Sequence, residues 1–327
     1  MTVSDEWFQG AVSLERTEQG IKPWRIPYEE FDLFPPEGLT GHAETPAGVR
    51  IRFASDSERV LLQVAPDSKE RLFDCVIDGI IHETRRLPPV EETVLFEQLP
   101  GTPKTIEIFL PQTSSVTVSG IAIVDGASFS IPADARPRWI TYGSSISQCV
   151  DAASPAQTWP AIVAREQDYR LTCLGYRGNC HLEPMVARMI RDLPADYISL
   201  CLGINVYGSK SLSVRTLRAM VIGFIKIIRE KHPETPILVI SPIISPPRET
   251  VNNAVGFTLE HIRNEIEAAV EALQRHGDGR LCYMSGLDWL GEQDAGLLPD
   301  ELHPGAEGYR VMGERFRRLL VERNYFA

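Results

Sequence analysis

No stretch of this chain is apolar enough over enough residues to span a bilayer. Its most apolar helical segment, near 221–228, is cut by Lys226 and falls far short of a membrane span. The opening Met1-Thr2-Val3-Ser4-Asp5-Glu6 is acidic and has no apolar run behind it, so no secretory signal is readable. The expectation is a cytoplasmic protein without a membrane partner. Cysteine is sparse and unpatterned: Cys75, Cys149, Cys173, Cys180, Cys201 and Cys282 form no C-x-x-C pair and no zinc spacing. Three of the six sit in apolar, strand-like runs, where cysteine behaves as a small hydrophobe, so buried thiols are expected. Cys149 lies four residues past Ser145, but nothing nearby in sequence would lower its pKa, which argues against it as a nucleophile. There is no glycine-rich nucleotide loop, no internal repeat and no low-complexity segment. No cofactor and no metal are expected.

What is present is ordinary in bulk and uneven in detail. At 327 residues, 43% apolar and 24% charged, the chain has the composition of a globular protein with room for two domains. Residues 1–137 hold 22 acidic and 12 basic side chains, a balance of −10. The remainder holds 22 acidic and 21 basic, so the net −11 belongs almost wholly to the first part. Acidity of that kind argues against a nucleic-acid partner.

Residues 1–137 read as β. Val49-Arg50-Ile51-Arg52-Phe53 alternates apolar and charged, as a half-buried strand does. Further strands are expected at 60–64, 73–81, 93–99, 105–110 and 116–123, divided by turn clusters such as Ala65-Pro66-Asp67 and Pro100-Gly101-Thr102-Pro103. Short strands so punctuated, with no helical periodicity, suggest a β-sandwich. Two prolines in Ser130-Ile131-Pro132-Ala133-Asp134-Ala135-Arg136-Pro137 suit a stiff connector, and the boundary is set at 133/134.

From residue 138 strands and helices alternate. Strands are expected at 138–142, 171–174, 197–202, 236–240 and 281–284. One intervening helix carries Val214, Leu217, Val221, Phe224 and Ile228 on a single face; another carries Ile262, Ile266, Ala269, Val270 and Leu273 and ends at Gly277. A last helix runs over about 305–323. Such alternation argues an α/β fold with a parallel sheet, whose ligands gather at the carboxyl ends of the strands.

One stretch organises the rest: Arg138-Trp139-Ile140-Thr141-Tyr142-Gly143-Ser144-Ser145-Ile146-Ser147. An apolar strand ends in a glycine turn and places a hydroxyl at a helix start, beside backbone N–H groups that favour negative charge. Serine there is also a common helix cap, so the turn alone decides nothing. Downstream lie Gly178 in Leu174-Gly175-Tyr176-Arg177-Gly178-Asn179, Asn205 in Gly203-Ile204-Asn205, and His303 in Asp300-Glu301-Leu302-His303-Pro304. Ser, Gly, Asn and His in that order, each after a strand or in the last loop, resemble the four blocks of the SGNH (GDSL-type) hydrolase superfamily over about residues 138–320. Some members carry a jelly-roll-like domain in front, among them carbohydrate esterases and natural-product acyltransferases, and the layout of residues 1–133 looks like theirs.

That resemblance implies a flavodoxin-like three-layer catalytic domain over 134–327 behind an all-β accessory domain. It implies Ser145 as nucleophile, His303 as base and Asp300 as the residue that orients it. It assigns the oxyanion hole to the Ser145 and Gly178 N–H groups and the Asn205 amide, with Gly175 a rival to Gly178. A hydroxyl needs such a base to become nucleophilic, and an oxyanion needs donors fixed in advance. His42, His82 and His181 have no matching carboxylate spacing, and His232, His261 and His276 fall in or at the ends of helices.

Two departures blur the branch. Ser144 stands where many members have aspartate, and Val206 follows Asn205 where a second aspartate is common. The α/β-hydrolase elbow G-x-S-x-G is absent, since Ser147 occupies the place of its second glycine. The reading is a serine esterase that forms an acyl-enzyme and acts on O-acyl esters, with deacetylation of a sugar or small metabolite ahead of acyl transfer to an alcohol. The front sandwich then serves as a sugar-binding module, a wall of the site or a packing partner. The rival from another class is a glycan-binding protein with an inactive hydrolase domain.

Overall fold

The computed structural model describes residues 1 and 3–326. They fall into two compact units: 1–136 together with 153–173, and 137–152 together with 174–326. The first unit therefore extends past the sequence boundary at 133/134 and takes in a later stretch of chain.

Among the described residues, the sandwich of the first unit is built from β1 Phe8–Gln9, β2 Ser13–Thr17, β3 Gly20–Trp24, β4 Arg50–Ser55, β5 Val60–Val64, β6 Arg71–Ile77, β7 Ile80–Leu87, β8 Thr93–Phe96, β9 Lys104–Phe109 and β10 Val118–Ile123. They form two five-stranded antiparallel sheets, β1-β4-β9-β6-β7 and β2-β3-β10-β5-β8. Phe53, Phe73, Ile106 and Ile108 of one sheet and Val60, Leu62, Phe96 and Ile121 of the other share one fully buried core. This is the expected sandwich.

Three details depart from the sequence reading. The expected strand 73–81 is a hairpin, broken at Asp78-Gly79, whose φ of 48° and 83° are the left-handed pair of a two-residue turn. The strands β1 to β3 carry mixed polar and apolar residues with no clear alternation, and the expectation omitted them. Arg50, expected on a solvated face, is buried at 2% exposure. Its guanidinium donates to Glu107 Oε1 at 3.1 Å and to the Leu171 carbonyl at 3.1 Å, so the outer face of that sheet is covered by the later segment of its own unit.

The parallel sheet contains β11 Arg138–Gly143, β12 Arg170–Gly175, β13 Tyr197–Cys201, β14 Ile237–Ile240 and β15 Leu281–Met284, in the order β12-β11-β13-β14-β15. That is the 2-1-3-4-5 order of flavodoxin-like folds, and β11, β13, β14 and β15 pair in parallel. The helix Leu217–Arg229 buries Leu217, Val221, Phe224 and Ile228, as the spacing required. Val214 precedes it and is 51% exposed, so the helix starts one turn later than the periodicity suggested. Helix Leu259–Arg275 buries the expected Ile262, Ile266, Ala269, Val270 and Leu273, Gly277 adopts φ 97° just past it, and helix Ala306–Glu322 matches its expected extent. Among the described residues, no helix is long and apolar enough to cross a membrane.

Candidate active site

Strand β11 delivers the chain to Gly143, where a Cβ would lie 2.2 Å from Ser147 Oγ; only glycine lets the turn close this tightly. Ser144 then caps the short helix Ser145–Gln148, its hydroxyl accepting the Ile146 N–H at 3.2 Å. Ser145 is the first helical residue, so its N–H has no acceptor within the helix. Its side chain, 4% exposed, places Oγ 2.8 Å from His303 Nε2.

The other face of the His303 ring is fixed by Asp300. Nδ1 lies 2.7 Å from Asp300 Oδ2, while Asp300 Oδ1 accepts the N–H groups of Leu302 at 3.0 Å and His303 at 2.7 Å. A carboxylate can only accept here, so Nδ1 carries the proton and the Nε2 lone pair faces the serine. Burial alone would raise the Asp300 carboxyl, yet the bonds from the His303 ring and the two N–H groups bring it down to about 2. It is therefore an anion at neutral pH.

Asn205 opens the helix Ile204–Ser209 behind β13. Its Oδ1 accepts the Cys180 N–H at 3.1 Å, which leaves the amide nitrogen as the end that can donate elsewhere. The two candidate glycines separate cleanly. Gly175 is pressed on backbone: a Cβ there would sit 2.3 Å from Gln148 N and 2.5 Å from Ser147 C. Gly178 has φ 72° and nothing within 4 Å of its Cβ position, so its side of the loop is open. Gly175 holds the serine helix against β12, and Gly178 is the glycine with room for a ligand.

The structure brings in residues that the sequence reading passed over. His181 Nε2 donates to the Gly178 carbonyl at 2.8 Å, and its Nδ1 accepts from Ser211 Oγ at 2.8 Å, so the ring ties the Gly178 loop to the end of the Asn205 helix. Gln148 Oε1 accepts the Arg177 N–H at 2.9 Å, linking the serine helix to the same loop. Beneath it, burial with Cys180 and Glu183 close by pushes the Tyr142 hydroxyl well above its ordinary range. It stays protonated and donates to Glu183 Oε2 at 2.5 Å. None of these had a signal in the sequence, since the partners are distant loop groups or backbone atoms. Cys149 Sγ lies against the Ile146 carbonyl at 3.1 Å, fully buried, and is no rival to Ser145. No disulfide joins the described cysteines.

A polarised hydroxyl, an oriented imidazole and a carboxylate in one hydrogen-bonded line are the equipment for acyl transfer through a covalent intermediate. Comparison with known proteins points the same way. Residues 136–320 match the GDSL-like Lipase/Acylhydrolase family, and residues 7–118 match the SsfX3 N-terminal domain. Among solved structures, the salicylyl-acyltransferase SsfX3 from a tetracycline biosynthetic pathway is 31% identical, with a TM-score of 0.92 over 99% of this chain and 97% of that one. A family two carbohydrate esterase from Clostridium thermocellum, in complex with cellohexaose, is 13% identical, with a TM-score of 0.67 over 86% of this chain and 94% of that one. An acetyl xylan esterase (Est2A) from the rumen bacterium Butyrivibrio proteoclasticus is 12% identical, with a TM-score of 0.61 over 99% of this chain and 98% of that one. At such identities the two esterases share the fold. No curated protein matches the sequence. With a two-sheet sandwich before a flavodoxin-like sheet, and the family's match covering more than half of the chain, this acyl-handling chain belongs to the GDSL-like lipase/acylhydrolase family.

Proposed function

We propose that this protein is a serine acyltransferase or esterase that works through an acyl-enzyme at Ser145, with transfer to a hydroxyl acceptor as its principal reaction. The observation that carries the reading is the unbroken line from Asp300 Oδ2 through the His303 ring to Ser145 Oγ, at 2.7 and 2.8 Å. In the first step His303 Nε2 takes the Ser145 proton as Oγ attacks the acyl carbonyl. The tetrahedral oxyanion is met by the N–H groups of Ser145 and Gly178 and the Asn205 amide. Its collapse breaks the bond to the leaving group, which departs with the proton from His303. An acceptor hydroxyl then repeats the sequence in reverse: its proton goes to His303, its oxygen attacks the acyl carbon, and Ser145 Oγ is released. Asp300 stays ionised throughout and stabilises the imidazolium. A protein kept only for glycan binding would have no use for this arrangement.

Sequence alone put hydrolysis first. The 31% identity to an acyltransferase over 99% of the chain supports reversing that order. Hydrolysis remains the second reading, because water and an alcohol enter the same step and differ only in which hydroxyl is held near the acyl carbon. The chemistry is assigned to 134–327, with 1–133 as an accessory domain, and the substrate is a small-molecule or sugar ester. Six cysteines without a disulfide suit a reducing compartment, which supports a cytoplasmic site of action. The test supplies an activated ester with a panel of alcohols and sugars and analyses products by mass spectrometry. Acylated acceptor, formed in proportion to acceptor concentration, is expected. Free acid alone at every concentration, with metabolite extracts included, would overturn transfer in favour of hydrolysis.

A further inference from the structure

The loop that carries Asp300 and His303 turns on an unusual residue. Glu301 sits at φ 60°, in the left-handed region that residues with a β-carbon avoid. The peptide that follows it is gripped at both ends. Its N–H, on Leu302, donates to Asp300 Oδ1 at 3.0 Å. Its carbonyl, on Glu301, accepts from Ser245 Oγ at 2.6 Å and from the Arg248 guanidinium at 3.2 Å. Rotation of this one peptide plane would remove a donor from Asp300 and turn the carboxylate that orients His303.

Ser245 and Arg248 are themselves fixed. Arg248 donates to Ser245 Oγ at 2.8 Å, so the hydroxyl has its own proton committed to the Glu301 carbonyl. The Ser245 N–H donates to Glu249 Oε1 at 2.9 Å. Glu249 in turn is held by Arg263 of the helix Leu259–Arg275, at 2.6 and 2.8 Å. The rest of the Arg263 fork donates to the carbonyls of Pro242 at 2.8 Å and Ile243 at 3.1 Å. Arg263 is 6% exposed and Ser245 1%, so water competes little for these bonds. One buried guanidinium thus shapes the whole segment that follows β14.

We infer that Ser245 is a positioning residue for the reaction, acting through the Glu301–Leu302 peptide to keep Asp300 and His303 in line with Ser145. Arg248 supports its hydroxyl, and the Arg263–Glu249 pair supports the segment that carries both. Ser245 touches no reacting atom; its contribution is the fixed orientation of a group that does. The inference rests on the reading of His303 as the base.

The test compares Ser245→Ala, Ser245→Thr and Arg248→Ala with the parent on one activated ester, alongside His303→Ala as a control on that reading. Ser245→Ala is expected to lower kcat about tenfold and leave KM within about twofold, the signature of an interaction that matters only in the transition state. Ser245→Thr, which keeps the hydroxyl, restores most of the rate. In the proton NMR spectrum, the downfield signal of the His303 Nδ1–H is expected to broaden or move in Ser245→Ala and return in Ser245→Thr. An unchanged kcat and NMR signal in Ser245→Ala, with His303→Ala inactive, would overturn the inference while leaving the proposed mechanism intact. A raised KM at constant kcat would overturn it equally. Full activity in His303→Ala would remove the mechanism and the inference together.

Discussion

At the scale of single residues, the tasks proposed for the three members of the Asp300–His303–Ser145 line are unequal, and so are the expected losses. With Ser145 as the proposed nucleophile, Ser145→Ala is expected to abolish ester cleavage and labelling by a fluorophosphonate probe. His303→Ala costs nearly as much, about 10⁶-fold in kcat, because nothing else can move the proton. Asp300→Asn costs less, about 10⁴-fold, since it disturbs the ring's orientation and tautomer but leaves the base in place. Steady-state kinetics on one activated ester check the ranking, and equal losses at the two positions would contradict it. Asn205→Ala tests the proposed oxyanion donor, and kcat is expected to fall about 10²- to 10³-fold with little change in KM. The sequence singled out these four residues because each follows a strand or lies in the loop before the last helix, and their order matched a known pattern. His181 and Gln148 were not. Their partners are Gly178 O, Ser211 Oγ and Arg177 N, contacts that exist only once the loops have folded.

At the scale of elements, the serine helix depends on a close approach that only glycine allows at Gly175. Gly175→Ala forces a methyl group onto the Gln148 and Ser147 backbone, where nothing can yield cheaply, and is expected to destabilise the fold by about 2 kcal/mol or more. Gly178→Ala meets open space and carries only the left-handed φ penalty, about 1–2 kcal/mol. Thermal unfolding of the two variants checks the order, and a more damaging Gly178→Ala would contradict the assignment of the two glycines. Sequence periodicity placed the five strands of the parallel sheet within about two residues, because short, mostly apolar runs between helices leave little choice. It did worse where the signal is local turn chemistry or burial of charge. Asp78-Gly79 is a hairpin signature that an apolar reading of 73–81 passed over. Arg50 looked solvated because alternation along β4 cannot reveal that a later segment of the chain covers its face.

At the scale of the whole molecule, the acidity of the first part does not spread evenly over a surface. Some of it is buried in an ionic cluster in which Glu107 receives Arg50 at 3.1 Å and Arg136 at 3.0 Å, and Asp134 receives Arg136 at 2.8 Å. Burial alone would raise the Glu107 carboxyl, but the charges and hydrogen bonds of Arg50 and Arg136 hold it below the usual range. A carboxyl depressed in the folded state contributes stability that is present above its unfolded value, about 4.3, and is lost as pH falls through the folded value. The melting temperature is therefore expected to drop below about pH 4, and this dependence to weaken in Glu107→Gln. The same variant removes the anionic partner of buried Arg50 and is expected to lose about 3–5 kcal/mol at neutral pH. Differential scanning calorimetry across pH checks both, and a pH-independent melting temperature would contradict the cluster's role. The central claim, an acyl-enzyme at Ser145, is tested most directly by intact-protein and peptide mass spectrometry after rapid acid quench from an activated ester. A mass increase of one acyl group is expected, carried on Ser145, absent in Ser145→Ala and trapped for longer in His303→Ala samples that acylate at all. Turnover with no adduct, or an adduct on Ser144, Ser147 or Cys149 with Ser145→Ala still active, would contradict it.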